Sequence, residues 1–173
     1  MSWMAGPVKG ARRIARLALL TAIALTIFMA EAQIHALPPI PGVKLGLANI
    51  VTVYAMFALG PWDALLVLSG RVFLGAVFSG QPMTLIYSAA GGFLSWCALC
   101  LLRRVLTEKQ IWLASPAAAV FHNIGQLLAA AAVLRSWAVM AYLPYLIIAA
   151  VLAGLLTGIA AQALIRRLER LKL

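Results

Sequence analysis

The chain has 173 residues, of which 65% are hydrophobic and only 10% are charged, and its mean hydropathy is +1.02. These values lie far outside the range of a soluble domain, so we predict an integral membrane protein. The formal net charge of +10 would suggest nucleic-acid binding in a soluble protein. In a membrane protein the positions of the basic residues matter more than their sum, and we expect no nucleic acid among the partners.

The apolar segments predict six membrane spans joined by short loops. A helix needs about 20 apolar residues to cross the hydrocarbon, so six spans with their connections use the whole chain. We therefore predict an all-α, polytopic membrane protein with one transmembrane domain, residues 1–173. The predicted spans are 14–37, 45–60, 62–79, 82–102, 111–134 and 139–165.

The basic residues predict the orientation of these spans. Eleven of the fourteen lysines and arginines fall on one side of the six-span arrangement. By the positive-inside rule, this side faces the cytoplasm together with both chain termini. The eleven residues are Lys9, Arg12, Arg13, Arg16, Arg103, Arg104, Lys109, Arg166, Arg167, Arg170 and Lys172.

The segment from Glu31 to Asn49 places polar groups and three prolines at the outer ends of the first two spans. An ionisable residue at membrane depth costs roughly 2.5 to 3.5 kcal/mol, so each one is a candidate for a binding site. Glu31 and His35 lie one turn apart on one side of the first helix. The connection contains Pro38, Pro39 and Pro41, and these predict a stiff outer loop. Lys44 either reaches the lipid headgroups or attracts an anionic ligand.

Arg71, in the third span, is predicted at a depth similar to that of Glu31, Asn49 and Gln126. At 1.5 Å per residue these groups lie about 6 to 12 Å below the outer ends of their spans. Two opposite charges at one depth cost less together than apart, so we predict that Glu31 pairs with Arg71.

The fifth span carries His122, Asn123 and Gln126 in the run FHNIGQLL. Residues three or four apart share a helix face, and these side chains suit hydrogen bonding to a heterocycle or a carbonyl-rich ligand. The alternative is that they join neighbouring helices, at perhaps 0.6 kcal/mol each.

Small residues predict close approach between helices. Ala18 and Ala22 form a smooth face on the first span, about 180° from Glu31 at 100° per residue. Gly91, Gly92, Gly154 and Gly158 are interpreted as packing positions in the fourth and sixth spans. Cys97 and Cys100 are interpreted as small buried side chains, because no further cysteines complete a metal site of the paired type.

The runs LPPIPGVKLGLANIVTVYAMFALG, SGRVFLG and FHNIGQLL resemble a family of small bacterial membrane proteins. This family has two names, the Gx transporter family and heptaprenyl diphosphate synthase component I. It is similar to the substrate-binding S components of energy-coupling factor (ECF) importers. The resemblance implies a multi-pass protein of the bacterial cytoplasmic membrane with an S-component-like fold.

The first hypothesis that the resemblance implies is a substrate-binding subunit that captures a vitamin-, flavin- or quinone-precursor-like molecule from outside. Its partners would be an ECF-type T component, which docks on Ala18 and Ala22, and ATPase subunits that use ATP, since the chain has no phosphate-binding loop of its own. The ligand would be bound by Glu31, His35, Lys44, Asn49, Arg71, His122, Asn123 and Gln126.

The second hypothesis is a membrane component that accompanies a soluble prenyl synthase in heptaprenyl diphosphate or menaquinone biosynthesis. A prenyl diphosphate synthase needs clustered carboxylates for magnesium. The chain has four acids, Glu31, Asp63, Glu108 and Glu169, none adjacent in sequence. We therefore expect no enzyme activity, no metal site and no cofactor bound by this chain. A third hypothesis, a carrier driven by proton transfer at Glu31 and His35, lacks an evident inverted repeat.

Overall fold

The computed structural model describes residues 10–33, 47–106 and 110–170, and this part of the chain is almost entirely helical. Each of the six helices overlaps one predicted span, and the all-helical prediction is confirmed. A short 3₁₀ helix, Trp137–Tyr142, precedes the last of them. The helices are α1 Gly10–Ala32, α2 Asn49–Ala58, α3 Pro61–Ser79, α4 Pro82–Val105, α5 Ile111–Leu134 and α6 Leu143–Arg170.

Five of these helices are long and apolar enough to cross a membrane, whereas α2 is shorter than its predicted span of 45–60. Its 10 residues extend about 15 Å, half of the roughly 30 Å hydrocarbon layer. Seven of the 10 side chains are buried, and α2 contacts all five of the other helices. Because the protein itself surrounds α2, this helix does not have to match the bilayer in length.

Glycine and proline end the helices where the sequence predicts turns. Gly60 has a φ of 118°, a value open to glycine, and Pro61 begins α3 directly after it. Gly80 closes α3 in the left-handed conformation, and Pro82 begins α4. Between the fifth and sixth predicted spans, Arg135 ends α5 with a φ of 50°.

Contacts between helices show that the chain runs up and down through the bundle. Arg13, in the first turns of α1, forms an ion pair with Asp63 in the first turn of α3. The Trp96 indole N–H, in the second half of α4, donates to the Pro61 carbonyl at 2.9 Å. The backbone N–H of Trp112, at the start of α5, donates to the Gln162 side chain near the end of α6 at 3.2 Å.

These contacts place the starts of α1, α3 and α5 at one end of the bundle with the ends of α2, α4 and α6. We call it the basic end, because Arg12, Arg13, Arg16, Arg103, Arg104, Arg166 and Arg167 lie there. The other end, where α1 and α3 finish and α2 begins, is the distal end. The sequence prediction that these arginines share one side of the protein is therefore consistent with the folded chain.

Glycines bring α4, α5 and α6 together at van der Waals distance, as predicted for Gly91, Gly154 and Gly158, and Gly125 of α5 does the same. A Cβ atom on Gly125 would lie 2.7 Å from the Ala90 carbonyl oxygen, and one on Gly154 would lie 2.5 Å from the Pro116 Cα. Pro116 lacks an N–H, so the Trp112 carbonyl four residues earlier has no helical donor. Gly158 packs against this carbonyl: a Cβ there would lie 2.6 Å from its oxygen. At such a close approach, the Gly158 Cα–H group can make a weak hydrogen bond to the Trp112 carbonyl oxygen.

Helix α1 lies at the edge of the bundle, packed mainly on α3. The two helices run in the same direction, since Thr21 packs on Gly70 and Phe28 packs on Gly75 farther along. Ala18 and Ala22 are exposed on α1, whereas Glu31 is buried. The predicted division of this helix into an outward alanine face and an inward acidic group is therefore present in the fold.

Candidate functional site

The distal half of the bundle contains a cluster of buried polar side chains. Six of the eight predicted ligand-binding residues lie in the described part of the chain, and all six are at most 5% exposed. They are Glu31, Asn49, Arg71, His122, Asn123 and Gln126. The other two, His35 and Lys44, fall outside the described residues, as does the predicted proline loop, so their roles stay predictions.

Four of these side chains surround one narrow cavity of about 10 Å³. Helices α1, α3, α4 and α5 all contribute to its wall, which lies well below the distal ends of α3, α4 and α5. A cavity of this volume holds about one water molecule. The lining residues are Phe28, Glu31, Arg71, Val72, Ser88, His122 and Gln126.

Glu31 lies in the last turn of α1 and joins this helix to the start of α2. Its carboxylate accepts a hydrogen bond from the backbone N–H of Leu47 at 3.0 Å. A carboxylate is a strong acceptor for an N–H group that precedes a helix and has no helical partner. Glu31 therefore helps to fix the beginning of α2, where Asn49 enters the polar cluster.

Arg71 is the buried cation of the cluster, with 3% of its surface exposed. Its Nη2 donates to Asn49 Oδ1 at 3.4 Å, a long hydrogen bond, and its Nε has no acceptor among the described residues. Arg71 and Glu31 line the same cavity and attract each other electrostatically. Among the described residues, the direct ion pair is formed by Arg13 and Asp63 and not by Arg71 and Glu31. Glu31 and Arg71 therefore attract each other across the shared cavity, and one oxygen of the Glu31 carboxylate binds the Leu47 amide.

Helix α5 presents its polar residues to two different neighbours. His122 and Gln126 face α4 and the cavity, and a Cβ on Gly91 would lie within 2.7 Å of both residues. Asn123 points the other way, and its side-chain amide donates to the Leu146 carbonyl of α6 at 3.0 Å. The structure brings His122 and Gln126 together with Arg71 and places Asn123 between helices, the alternative that the sequence left open.

Several buried polar atoms of this region have no hydrogen-bond partner within the described part of the chain. More than nine in ten buried polar groups in proteins are paired, and an unpaired one costs about 1 to 3 kcal/mol. Such atoms are expected to be satisfied by water or a ligand, and three of them, on Arg71, His122 and Gln126, belong to residues that line the cavity. The atoms are Asn49 Nδ2, Thr52 Oγ1, Arg71 Nε, Ser95 Oγ, His122 Nδ1, Asn123 Oδ1 and Gln126 Oε1.

The sequence analysis did not identify Ser88 and Phe28 as parts of the cavity wall. Ser88 precedes Gly91 and Ser95 by three and seven residues, so helical spacing alone places all three on one face of α4. Phe28 lies one turn before Glu31 on α1 and fits against Gly75 of α3, where a Cβ would lie 2.8 Å from its ring. The position of Ser88 could therefore be predicted from the residue spacing, whereas the position of Phe28 depends on how α1 packs.

Glu31 and Asp63 lie at opposite ends of the bundle. Glu31 lies 18 residues beyond Arg13 on α1, a rise of about 27 Å, and Arg13 holds Asp63 at the basic end. Within residues 10–33, 47–106 and 110–170, no three His, Cys, Asp or Glu side chains come together in a way that could hold a metal ion.

Comparison with known families identifies the chain at the level of its family. The family model described as heptaprenyl diphosphate synthase component I matches residues 20–164, which include all six helices in whole or in part. No curated protein and no solved structure matches the chain. The family match confirms the resemblance noted in the sequence. The chain therefore belongs to the heptaprenyl diphosphate synthase component I family.

Proposed function

We propose that the chain is a non-catalytic membrane component associated with heptaprenyl diphosphate synthesis, and that its distal polar cluster binds the polar group of an isoprenoid ligand. The observation that carries this proposal is Arg71, a buried cation that has one long hydrogen bond and no acceptor for its Nε within the described part of the chain. The family description supplies the class of pathway.

The separation of the acids supports a non-catalytic role. Magnesium-assisted chemistry on a diphosphate requires several oxygen ligands around one ion. Glu31 and Asp63 lie at opposite ends of the bundle, and Asp63 is paired with Arg13. A soluble synthase subunit would supply the catalytic carboxylates, while this chain would hold an isoprenoid in the membrane.

The chemistry of the cavity favours a ligand group that accepts hydrogen bonds. Arg71 and Asn49 offer N–H donors, and an arginine binds phosphate or carbonyl oxygens with its planar fork. The cavity of about 10 Å³ is smaller than a phosphate, so binding requires the side chains of Phe28 or Gln126 to move. Both lie at the boundary between helices, where a change of rotamer would enlarge the space.

The ligand proposal is tested with heptaprenyl diphosphate and, as an uncharged probe, heptaprenol, added to the purified chain in nanodiscs. We expect the diphosphate to raise the melting temperature more than the alcohol, and the double variant Arg71→Gln, Asn49→Ala to lose the difference. Arg135→Gln is the matched control, because Arg135 is an exposed arginine at the same end of the bundle. An unchanged response in the double variant would remove the cluster as the binding site.

The partner proposal is tested separately by affinity purification with a soluble prenyl diphosphate synthase from the same cell. We expect the synthase to co-purify with this chain and to retain its activity without it, since the chain contributes no catalytic group. The non-catalytic role would be contradicted if the synthase lost all activity without this chain and if, among variants of the chain, only those at Glu31 or Asp63 caused the same loss.

A second candidate function is the substrate-binding subunit of an ECF-type importer. It is favoured by the exposed faces of Ala18 and Ala22 on α1, which lie opposite the buried Glu31 and would let a coupling subunit approach closely. In this case a T component and ATPase subunits would co-purify. The variant Ala18→Leu, Ala22→Leu should then reduce their recovery, whereas Ala89→Leu, at an exposed alanine of α4, should not.

The importer function requires an orientation with the basic end in the cytoplasm of a bacterial cell and the distal cluster toward the outside, whereas a soluble synthase would meet the chain at the basic end. The concentration of arginines at one end of the bundle supports this orientation. Reporter fusions at the two termini test it: both should report a cytoplasmic location, and a periplasmic signal from either one would reverse the proposal.

A further inference from the structure

A second concave site lies at the basic end, between the start of α5 and the last turns of α6. It is an open cleft of about 450 Å³ lined by Trp112, Ile159, Gln162, Ala163 and Arg166. Trp112 precedes His122 by ten residues on α5, a rise of about 15 Å, so the cleft is separate from the distal cavity.

The depth of the cleft follows from the length of α6. This helix has 28 residues and extends about 42 Å, which exceeds the roughly 30 Å of hydrocarbon. Its last turns therefore reach the headgroup layer at the basic end. Trp112, the second residue of α5, lies at the same level, because its backbone N–H donates to Gln162. Tryptophan is enriched at this depth of a membrane.

The cleft combines a cation with an apolar wall in a definite order. The Arg166 side chain is exposed and lies toward the end of the helix, where it faces the headgroup layer. Ile159, also exposed, lies seven residues earlier, about 10 Å nearer the membrane centre. Arginine binds phosphate oxygens in a bidentate manner, and an exposed isoleucine at hydrocarbon depth packs against acyl chains.

We propose that this cleft binds an anionic phospholipid from the leaflet at the basic end. The phosphate lies against Arg166 and the Trp112 indole, and one acyl chain follows Ala163 and Ile159 into the hydrocarbon. The apolar wall is the reason for a lipid instead of a soluble anion, and the positive charge of Arg166 is the reason for an anionic headgroup. Basic pockets between helices at a membrane surface bind such headgroups in this way.

The test uses the full chain in nanodiscs made of equal amounts of phosphatidylglycerol and phosphatidylcholine, with native mass spectrometry to count retained lipids. We expect the wild-type chain to retain phosphatidylglycerol in excess. Arg166→Gln should reduce the excess about fivefold, the effect of one basic residue near the surface. Arg167→Gln is the matched control, because Arg167 is exposed on the same turn but does not line the cleft.

A second variant separates the cleft from general surface charge. Ala163→Leu fills the groove and leaves the net charge unchanged, so it should also lower the number of retained lipids. Equal retention of the two lipids by the wild type would overturn the proposal. Equal losses in Arg166→Gln and Arg167→Gln would do the same, as would an unchanged lipid count in Ala163→Leu. Melting temperatures of the three variants confirm that they are folded.

Discussion

The two ends of the bundle treat their polar groups in opposite ways. At the basic end, several polar side chains are paired with one another or with backbone, namely Arg13 with Asp63, Trp96 with Pro61 and Gln162 with Trp112, and Arg166 is exposed. In the distal half, Arg71 and Gln126 are at most 3% exposed and carry atoms without partners in the described structure. The pairs at the basic end stabilise the fold, whereas a buried polar atom without a partner costs about 1 to 3 kcal/mol until water or a ligand satisfies it.

The difference extends to the shapes of the two sites. The distal cavity is enclosed by four helices and has the volume of about one water molecule. The cleft at the basic end is open and much larger, and only one of its side chains is charged. A narrow, buried polar cavity favours selection of a particular ligand group, and an open cleft with a single cation favours a common lipid.

The largest expected effect tests the contact that encloses the distal cavity. Gly125→Ala would place a Cβ atom 2.7 Å from the Ala90 carbonyl oxygen and should lower the free energy of unfolding by about 3 kcal/mol. The loss should occur although alanine favours a helix over glycine by about 1 kcal/mol. Thermal unfolding in detergent measures it.

Gly10→Ala is the control for this prediction, because no atom of the described residues lies within 4 Å of the corresponding Cβ position. Equal stability of the two variants would mean that α4 and α5 do not approach as closely as the structure places them. The cavity that these two helices line would then be less enclosed.

A pair of glutamine substitutions tests the contrast between the two ends directly. Gln126→Met removes an unpaired side-chain oxygen and should raise the free energy of unfolding by about 1 kcal/mol. Gln162→Met removes the acceptor of the Trp112 N–H and should lower it by about 1 to 3 kcal/mol. The same substitution should thus change the free energy of unfolding in opposite directions at the two positions. Unfolding of both variants under one condition measures the two changes. Destabilisation by both would show that Gln126 has a structural partner.

The smallest effect concerns hydrogen bonds between helices. Ser115→Ala removes the 2.8 Å hydrogen bond to Thr157 between α5 and α6 and should cost about 0.6 kcal/mol. Thr26→Val is the comparison, because the Thr26 hydroxyl bonds only within α1, to the Ala22 carbonyl at 2.9 Å. A loss in Ser115→Ala no larger than in Thr26→Val would assign the α5–α6 interface to glycine packing alone.

The helices and turns could be predicted from the sequence because their causes are local. Gly60 with Pro61 and Gly80 with Pro82 end and begin helices through their own backbone preferences, whatever surrounds them. The division of α1 into an alanine face and a buried Glu31 follows from helical periodicity. The length of α2 could not be predicted in this way, because only its burial by the other helices releases it from the thickness of the bilayer.

The site could be predicted only in part. Burial of Glu31, Asn49, Arg71, His122 and Gln126 follows from the cost of placing polar groups against lipid. Their partners do not follow from that cost. Whether Glu31 reaches Arg71 or the Leu47 amide depends on distances of a few ångströms between helices. Whether Asn123 faces the cavity depends on which neighbour lies on its side of α5.

By itself the sequence determined that this protein is a helical membrane protein, that its arginines collect at one end, and that polar residues are buried toward the other. Composition and periodicity suffice for these features, because bilayer and backbone act on each segment independently. Only the tertiary structure decided that Arg71, His122 and Gln126 share a cavity with Glu31, and that Trp112 and Arg166 frame a second cleft. Such proximities depend on glycine contacts between helices, and those contacts exist only once the helices have packed.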